Sequence, residues 1–402
     1  MKAGWQTKML GEVCQIKPPK AEARRLLSDM DLVSFVPMED LGIDQKFLIP
    51  TRVKPLSEVV GSYTYFADGD VLLAKITPCF ENGKLGIAAN LSNGIGFGSS
   101  EYIVFRPGPL VDKEWLYYFL SRESFRIEGA ERMSGAVGHK RVAKEFIDGY
   151  PIFIPPLPEQ QRIVSILDEA FDGIATTKAN ADKNLKNARA LFESYLQSVF
   201  SQRGERWVDT TIGQHIRFID YRGKTPEKTE DGLRLITAKN VKMGYLSETP
   251  KEFVSPESYG GWMTRGIPRL GDVLFTTEAP LANVAQLDID EKVVFAQRII
   301  IMQPVTTKLD SAFLKYLLLS QPVQQRIHDK GTGATVKGIK ASLLKTIEIS
   351  FPKSVVEQER IVVKLDGLRE QTQRLESIYR RKLTALDELK KSLLHKAFAG
   401  EL

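Results

Sequence analysis

The feature that most constrains the fold of this 402-residue chain is an internal repeat. Gly69-Asp70-Val71-Leu72 recurs as Gly271-Asp272-Val273-Leu274, an offset of 202 residues. Further along, Gly135-Ala136 recurs as Gly333-Ala334, at an offset of 198 residues. Two offsets related by one net deletion of four residues indicate a duplicated unit of about 200 residues. This period is far longer than the roughly 20–50 residues of solenoid repeats, so each copy is a whole domain with an appendage.

The repeat predicts four segments. We expect a globular segment over residues 1–154, a helix over 155–202, a second globular segment over 203–351 and a second helix over 352–402. Short strand-like runs, Gly/Pro/Asn/Asp turns and a few helices make the globular segments α+β. The two copies match closely in the helical segments and thinly in the globular ones. We therefore expect the helices to share one role, and the globular segments to share a fold but differ in surface.

Both helical segments carry apolar residues in steps of three and four, which is the pattern of a coiled-coil seam. Each is about 42 residues, or roughly 60 Å, long. A long helix with one apolar face needs a partner. We expect the two helices to pair antiparallel, with the globular segments in a pseudo-two-fold arrangement. The seam residues are Ile163, Leu167, Ile174 and Leu185 in the first helix and Ile361, Leu365, Leu375, Leu383 and Leu386 in the second.

Two alternatives stay open for these helices. Each helix could instead pack only on its own globular segment. The basic runs Arg380-Arg381-Lys382 and Lys390-Lys391 are either a solvated face or a contact to a partner subunit or to phosphates.

Signatures of catalysis and of metal binding are missing from the sequence. It has no phosphate-binding loop, no dinucleotide-binding glycine motif and no Asn-Pro-Pro-aromatic motif. The four histidines are far apart and have no cysteine pair near them, so we expect no metal site. Asp70 and Lys75 resemble a nuclease pair, but the second copy has Thr277 in place of Lys75. We therefore assign Asp70 to the turn that enters a strand.

Cysteine usage and hydropathy predict a cytoplasmic location. The chain has two cysteines, which is too few for a disulfide framework and fits a reducing compartment. We find no signal-peptide core and no apolar run near the roughly 20 residues that a membrane span needs. We therefore expect a soluble cytoplasmic protein.

Turn-rich parts of the globular segments carry basic and amide side chains, in part at matching places of the two copies. The net charge of +6 includes no basic tail, so folding must gather any DNA-binding face. Arg, Lys, Asn and Thr can hold phosphates or read base edges. A solvated loop is the alternative for each single residue. The candidate DNA-binding residues are Lys75, Thr77, Asn82, Lys84, His139, Lys140, Arg141, Arg222, Lys224, Thr225, Lys239, Asn240, Thr276, Thr277, Lys337 and Lys340.

Two similar sequences open the helical segments, Pro155-Pro-Leu-Pro-Glu-Gln-Gln-Arg-Ile-Val164 and Glu357-Gln-Glu-Arg-Ile-Val362, and the chain ends in Lys396-Ala-Phe-Ala-Gly-Glu-Leu402. The second globular segment contains Tyr221-Arg-Gly-Lys-Thr-Pro226 and Gly333-Ala-Thr-Val-Lys-Gly-Ile339. With these motifs the chain resembles the specificity (S) subunits of type I restriction-modification systems over essentially all of its length. The two motifs of the globular segment are similar to motifs of target recognition domains, and the first copy departs from both of these patterns.

The resemblance implies two target recognition domains that each read one half of a bipartite, asymmetric DNA site, with the paired helices setting the gap. It implies a subunit without catalytic residues that directs adenine methylation and DNA cleavage by its partners. Those partners would be two methyltransferase (M) subunits and restriction (R) subunits, which carry S-adenosylmethionine, ATP and Mg²⁺; no cofactor is expected on this chain. Two other hypotheses stay open: a coiled-coil adaptor that binds only protein, and an unrecognised nuclease.

Overall fold

The computed structural model describes residues 4–136, 138–202, 204, 206–221, 225–296, 298–333 and 335–402. The chain divides into two units, which are described separately below. Unit 1 comprises Met1–Asp182 and Arg381–Leu402, and unit 2 comprises Lys183–Arg380. Each unit thus combines one globular segment with part of both long helices. Within the described residues, no helix is long and apolar enough to cross a membrane.

In its described residues, the globular part of unit 1 contains ten strands and six short α-helices. The strands are β1 (Gln6–Met9), β2 (Cys14–Ile16), β3 (Leu32–Val36), β4 (Arg52–Pro55), β5 (Thr64–Ala67), β6 (Val71–Ala74), β7 (Leu85–Ile87), β8 (Ile95–Gly98), β9 (Tyr102–Pro107) and β10 (Pro151–Ile154). The helices are α1 (Leu10–Val13), α2 (Ala21–Leu26), α3 (Leu56–Val59), α4 (Lys113–Ser121), α5 (Glu123–Glu131) and α6 (Lys144–Asp148). The first long helix, α7 (Leu157–Ser201), follows and continues into unit 2.

The strands of unit 1 form a central sheet, a second sheet and a two-stranded ribbon. The central sheet has the order β2-β9-β6-β7, and the second has the order β4-β3-β8-β5. The ribbon pairs β1 with β10, immediately before α7. In the central sheet β9 runs antiparallel to both β2 and β6. The carboxyl ends of β2 and β6 therefore meet the start of β9 at one edge of the sheet.

Strand β6 is apolar at every position because both of its faces are buried. Val71 and Leu73 point into the core around α4, whereas Leu72 and Ala74 point into the core that faces the second sheet. This alternation follows from the two-residue period of a strand. A strand that is covered on both faces reads as a continuous apolar run.

Unit 2 repeats this architecture. Its strands are β11 (Trp207–Thr211), β12 (Ile216–Asp220), β13 (Leu233–Ile236), β14 (Glu252–Val254), β15 (Val273–Thr276), β16 (Val284–Gln286), β17 (Val293–Phe295), β18 (Ile299–Pro304) and β19 (Glu348–Pro352). Its helices are α8 (Ile212–His215), α9 (Tyr259–Trp262), α10 (Ser311–Leu319), α11 (Gln321–Lys330), α12 (Ala341–Lys345) and the second long helix α13 (Val355–Ala399), which continues into unit 1.

The central sheet of unit 2 has the same topology as that of unit 1. Its order is β12-β18-β15-β16, and β18 runs antiparallel to both β12 and β15. The second sheet is β14-β13-β17, in which β13 and β17 are parallel, as β3 and β8 are in unit 1. The ribbon pairs β11 with β19. The duplication in the sequence is therefore a duplication of the fold, as predicted.

The long helices pack together antiparallel, as predicted. Within unit 1, Lys178 Nζ donates to Asp387 Oδ1 at 2.6 Å. Within unit 2, Arg189 Nε donates to Glu376 Oε2 at 3.1 Å. The first helix has advanced eleven residues between these two pairs while the second has receded by eleven, which is the signature of an antiparallel register.

Both long helices also pack on both globular segments, so the alternative in which each helix packs only on its own segment is wrong. Leu167 and Leu394 enter the core around α4 in unit 1, and Leu196 and Leu365 enter the core around α10 in unit 2. Both packing modes coexist within each unit.

Burial of the predicted seam is strongest towards its two ends. Ile163, Leu167 and Leu365 are fully buried, and Ile174 is nearly so. Leu185, Ile361, Leu383 and Leu386 are half-buried. Leu375 is 38% exposed, so the prediction of a seam residue is wrong at this position. In a pair of helices, the partner covers only the part of the apolar face that points towards it. A globular segment must cover the remaining apolar surface.

Candidate nucleic-acid interface

The edge where β2, β6 and β9 meet gathers polar residues of unit 1. Lys17 follows β2, Lys75 follows β6 and Glu101 precedes β9. The Lys17 N–H donates to the Val104 carbonyl oxygen at 2.8 Å, and the Lys75 N–H donates to that of Glu101 at 2.9 Å. We call Lys17, Lys75, Thr77, Glu101 and the turn residues 134–136 and 138–141 the unit 1 edge.

The turn residues 138–141 are held at this edge by backbone hydrogen bonds. The Thr77 N–H donates to the Lys140 carbonyl oxygen at 2.9 Å, and the Val142 N–H donates to that of Lys75 at 3.0 Å. Gly135 has φ +126°, a backbone conformation that favours glycine. Five predicted residues, Lys75, Thr77, His139, Lys140 and Arg141, are therefore brought together at the unit 1 edge.

Positive charge is concentrated at the unit 1 edge. Burial lowers the pKa of the Lys75 ammonium; the Glu101 carboxylate opposes this shift, while the charges of Lys17 and Arg141 add to it. Lys75 Nζ donates to the Ser100 carbonyl oxygen at 2.9 Å. Sequence reasoning missed Lys17 and Glu101. A signal for Lys17 was available, because the basic run Lys17-Pro-Pro-Lys20 follows the first central strand.

Asn82 and Lys84 lie in the turn between β6 and β7. Asn82 is exposed. The Lys84 ammonium is directed back into unit 1, where it donates to the Met38 carbonyl oxygen at 2.7 Å. Lys84 therefore holds this turn in place in the structure, and its predicted DNA contact would require that bond to break.

The corresponding unit 2 edge has the same backbone frame. The Thr277 N–H donates to the Arg298 carbonyl oxygen at 2.8 Å, and the Ile339 N–H donates to that of Thr277 at 2.9 Å. Thr277 thus occupies the place of Lys75. Arg298, which precedes β18 as Glu101 precedes β9, pairs with Glu278 at 2.9 Å. We call Thr277, Glu278, Arg298 and the turn residues 332–333 and 335–340 the unit 2 edge.

Exposure separates the candidates of unit 2 into two groups. Lys337 and Lys340 are exposed on the turn of the unit 2 edge, and Lys239 and Thr225 are exposed elsewhere in unit 2. Arg222 and Lys224 lie outside the described residues.

The second group, Asn240, Thr276 and Thr277, is almost completely buried. Asn240 accepts from the Thr237 N–H at 3.0 Å and donates to the Pro250 carbonyl oxygen at 2.9 Å. Thr276 Oγ1 donates to the Pro280 carbonyl oxygen at 2.6 Å, and Thr277 Oγ1 donates to that of Arg298. These side chains fix loop backbone, so the prediction that they contact DNA is corrected here.

The predicted role of Asp70 is confirmed. Gly69 has φ +89°, and the buried Asp70 carboxylate accepts from the Ala67 N–H at 2.8 Å and from Arg106 at 2.8 Å. In unit 2 Asp272 likewise accepts from the Arg269 N–H at 2.8 Å. The repeated Gly-Asp pair therefore closes the turn that enters the strand, and its carboxylates are engaged in structure rather than gathered at an edge.

The helix-opening motif also has a structural role, which sequence reasoning missed. Gln160 is fully buried, its side-chain oxygen accepts from the Asp112 N–H at 2.8 Å, and its amide donates to the Leu110 and Pro155 carbonyl oxygens, both at 2.8 Å. Gln358 makes the corresponding three bonds in unit 2. One amide thus joins the start of each long helix to the loop before α4 or α10.

The model of the type I restriction modification DNA specificity domain matches residues 2–187 and 265–383. This chain belongs to that family. A curated member, the type I restriction enzyme EcoEI specificity subunit of Escherichia coli, is 38% identical over 254 residues. The match covers 62% of this chain and 41% of that protein, so the chain spans less than half the length of this relative.

Two solved structures share the fold of this specificity-family chain. A chain from a study of complex assembly and conformational transition in the type I R-M system has a TM-score of 0.79 at 20% identity, covering 100% of this chain and 99% of that one. The HsdS subunit from Thermoanaerobacter tengcongensis has a TM-score of 0.65 at 20% identity, with 100% and 98% coverage. These likenesses support the α+β fold with two long helices.

Proposed function

We propose that this chain is the DNA-specificity subunit of a type I restriction-modification complex, and that it reads a bipartite, asymmetric site with one half-site for each unit. It directs adenine methylation and DNA cleavage without catalysing either reaction. Family membership supports the DNA-specificity role. The assignment of one half-site to each unit rests on the unit 1 edge and the unit 2 edge.

The observation behind this assignment is that the two edges share a backbone frame and differ in side chains. Lys75 and Thr277 occupy one position of the frame, and Glu101 and Arg298 occupy another. A donor-rich edge can contact phosphates and base edges, and base contacts depend on which side chains it presents. Two frames with different side chains are suited to two different half-sites.

The proposed partners are duplex DNA, two methyltransferase subunits and the restriction subunits of the full complex. S-adenosylmethionine, ATP and Mg²⁺ would be held by those subunits. The proposed location is the cytoplasm, where such a complex would protect the cell from phage DNA.

Sequencing of methylated adenines tests this function. The chain and its methyltransferase partner are expressed in a host without other adenine methylation, with each protein alone as control. We expect methylation at one bipartite motif only when both are present. Methylation by the partner alone at the same motif, or no motif at all, would contradict the proposal.

The isolated chain provides the second part of the test. We expect its DNA affinity to fall as salt rises, since phosphate contacts release counterions. With Mg²⁺ we expect no cleavage. Cleavage would favour the nuclease hypothesis, and salt-independent or absent DNA binding would favour the protein adaptor.

A further inference from the structure

Arg141 is the most firmly positioned cation of the unit 1 edge. Its N–H donates to the Ser134 carbonyl oxygen at 2.8 Å, and the Ser134 N–H donates back to Arg141 at 3.0 Å. A β-bridge links Arg141 to Ile76, just past the end of β6. The backbone of Arg141 is therefore held both by its own turn and by the edge of the sheet.

The guanidinium of Arg141 is held as firmly as its backbone. Nε and Nη2 donate to the two carboxylate oxygens of Glu101 at 2.9 and 2.8 Å, and Nη1 donates to the His139 carbonyl oxygen at 3.1 Å. Hydrogen bonds from Arg141 lower the pKa of Glu101 against the effect of its burial, so this carboxylate is charged at neutral pH. The negative charge of Glu101 strengthens its two hydrogen bonds with the Arg141 guanidinium.

Three of the five guanidinium N–H donors are used in these bonds. One N–H on Nη1 and one on Nη2 are left over, and among the described residues they have no acceptor. The side chain is 46% exposed, whereas Glu101 is 22% exposed. Arg141 is therefore the more accessible partner of this ion pair.

We infer that Arg141 reads a guanine in the half-site of unit 1, and that Glu101 is the positioning residue that presents it. This inference rests on the proposed function. Two N–H donors, one on each terminal nitrogen of the guanidinium, match the O6 and N7 acceptors of guanine in the major groove. An arginine whose plane is already fixed loses little conformational entropy on binding.

The neighbouring Lys140 is the matched control. It is exposed on the same turn, and its carbonyl oxygen accepts from the Thr77 N–H. An ammonium group is a point charge without a planar fork, so it suits a phosphate rather than a base. Loss of Lys140 should weaken binding to all sequences alike, and loss of Arg141 should change which sequence is bound.

The experiment uses the full chain with its methyltransferase partner and a pool of duplexes with randomised bases. Sequences bound by the wild type are enriched and sequenced, and the same is done for Arg141→Gln, Glu101→Gln and Lys140→Gln. Affinities are then measured for duplexes that differ at one base pair. Positions of the other half-site serve as an internal control for folding.

We expect one G·C pair of a half-site to lose its discrimination in Arg141→Gln, by about 5- to 150-fold. Glu101→Gln should reduce discrimination at the same pair, and Lys140→Gln should leave it unchanged. Retained discrimination in Arg141→Gln overturns the inference. A uniform loss over the whole half-site also overturns it, because that result means a phosphate contact or a folding defect. An unenriched pool with the wild type would instead reject the proposed function itself.

Discussion

Gln160 and Gln358 show how much of this fold depends on single buried amides. Each side chain is fully buried and satisfies one backbone N–H and two carbonyl oxygens. An amide is suited to this place because it offers both an acceptor and two donors. The glutamine at the start of each long helix therefore has a structural role, because it joins the helix to the loop before α4 or α10.

Replacing Gln160 by leucine should destabilise unit 1 by about 3 kcal/mol or more, because the buried backbone groups lose their partners. Gln161→Leu is the control, since Gln161 is exposed on the next position of the same helix. Urea unfolding and hydrogen exchange at the Asp112 amide measure the effect. Equal stability of the two variants would mean that the amide bonds contribute nothing.

The two cysteines should differ in reactivity. Cys14 is 5% exposed, and burial raises its pKa to about 12. At pH 8 only about one Cys14 thiol in 10⁴ is then ionised, and the thiolate is the nucleophile. Maleimide should therefore label the native protein once, at Cys79, which is half-buried, and twice after unfolding. Mass spectrometry of peptides identifies the labelled cysteine. Rapid labelling of Cys14 in the native protein would show that the core around it opens readily.

Sequence alone could assign the Gly-Asp turn but not the buried Asn240, Thr276 and Thr277. A repeated Gly followed by Asp before an apolar run has a local cause that a pattern can reveal. Whether a threonine side chain is buried depends on the neighbouring strands and loops, and these elements can be distant in sequence. The pairing of Arg141 with Glu101, forty residues away, is hidden for the same reason.

At the scale of elements, the long periodic helices were predictable, and the short strands of the second sheet of unit 1 were not. The predicted helical segments 155–202 and 352–402 extend beyond α7 and α13 by one to three residues at each end. Their boundaries follow from prolines before them and from an apolar period of more than ten turns. Strands β3, β4, β5 and β8, of four or five residues, show no such period and depend on neighbours for their definition.

Lengthening both long helices should lengthen the gap between half-sites. Lys178–Asp387 and Arg189–Glu376 place Ala181 opposite Thr384 in the antiparallel register. Seven residues inserted after both positions add about 10 Å of helix, or roughly three base pairs. Sequencing of methylated adenines should show unchanged half-sites with a longer gap.

An insertion after Ala181 alone is the control for this experiment. It should abolish methylation at a defined motif, because the two helices would no longer match in length between their ion pairs. A longer gap from the single insertion would show that pairing of the helices does not set the distance. Altered half-sites after the paired insertion would refute the assignment of reading to the globular segments.

At the scale of the whole chain, each unit is completed by the helix of the other copy. Phe200, near the end of α7, packs in unit 2 against Phe313 at a ring distance of 5.4 Å. Phe398, near the end of α13, packs in unit 1 against Trp115 at 4.4 Å. The two phenylalanines are equivalent in the repeat. Neither copy by itself therefore contains all the residues of its own core, and the duplication is a mutual dependence rather than two independent domains in series.

Because the end of each long helix packs into the core of the other copy, a substitution near the C-terminus should destabilise the core of unit 1. Phe398→Ala should destabilise unit 1 by about 3–5 kcal/mol, because it removes a buried aromatic side chain. Hydrogen exchange should become faster in α4 and stay unchanged in α10, and Phe200→Ala should give the reverse. Leu389→Ala, at a position of α13 that is 47% exposed, is the control and should change neither. Faster exchange in α10 alone after Phe398→Ala would mean that the end of each long helix stabilises the globular segment of its own copy.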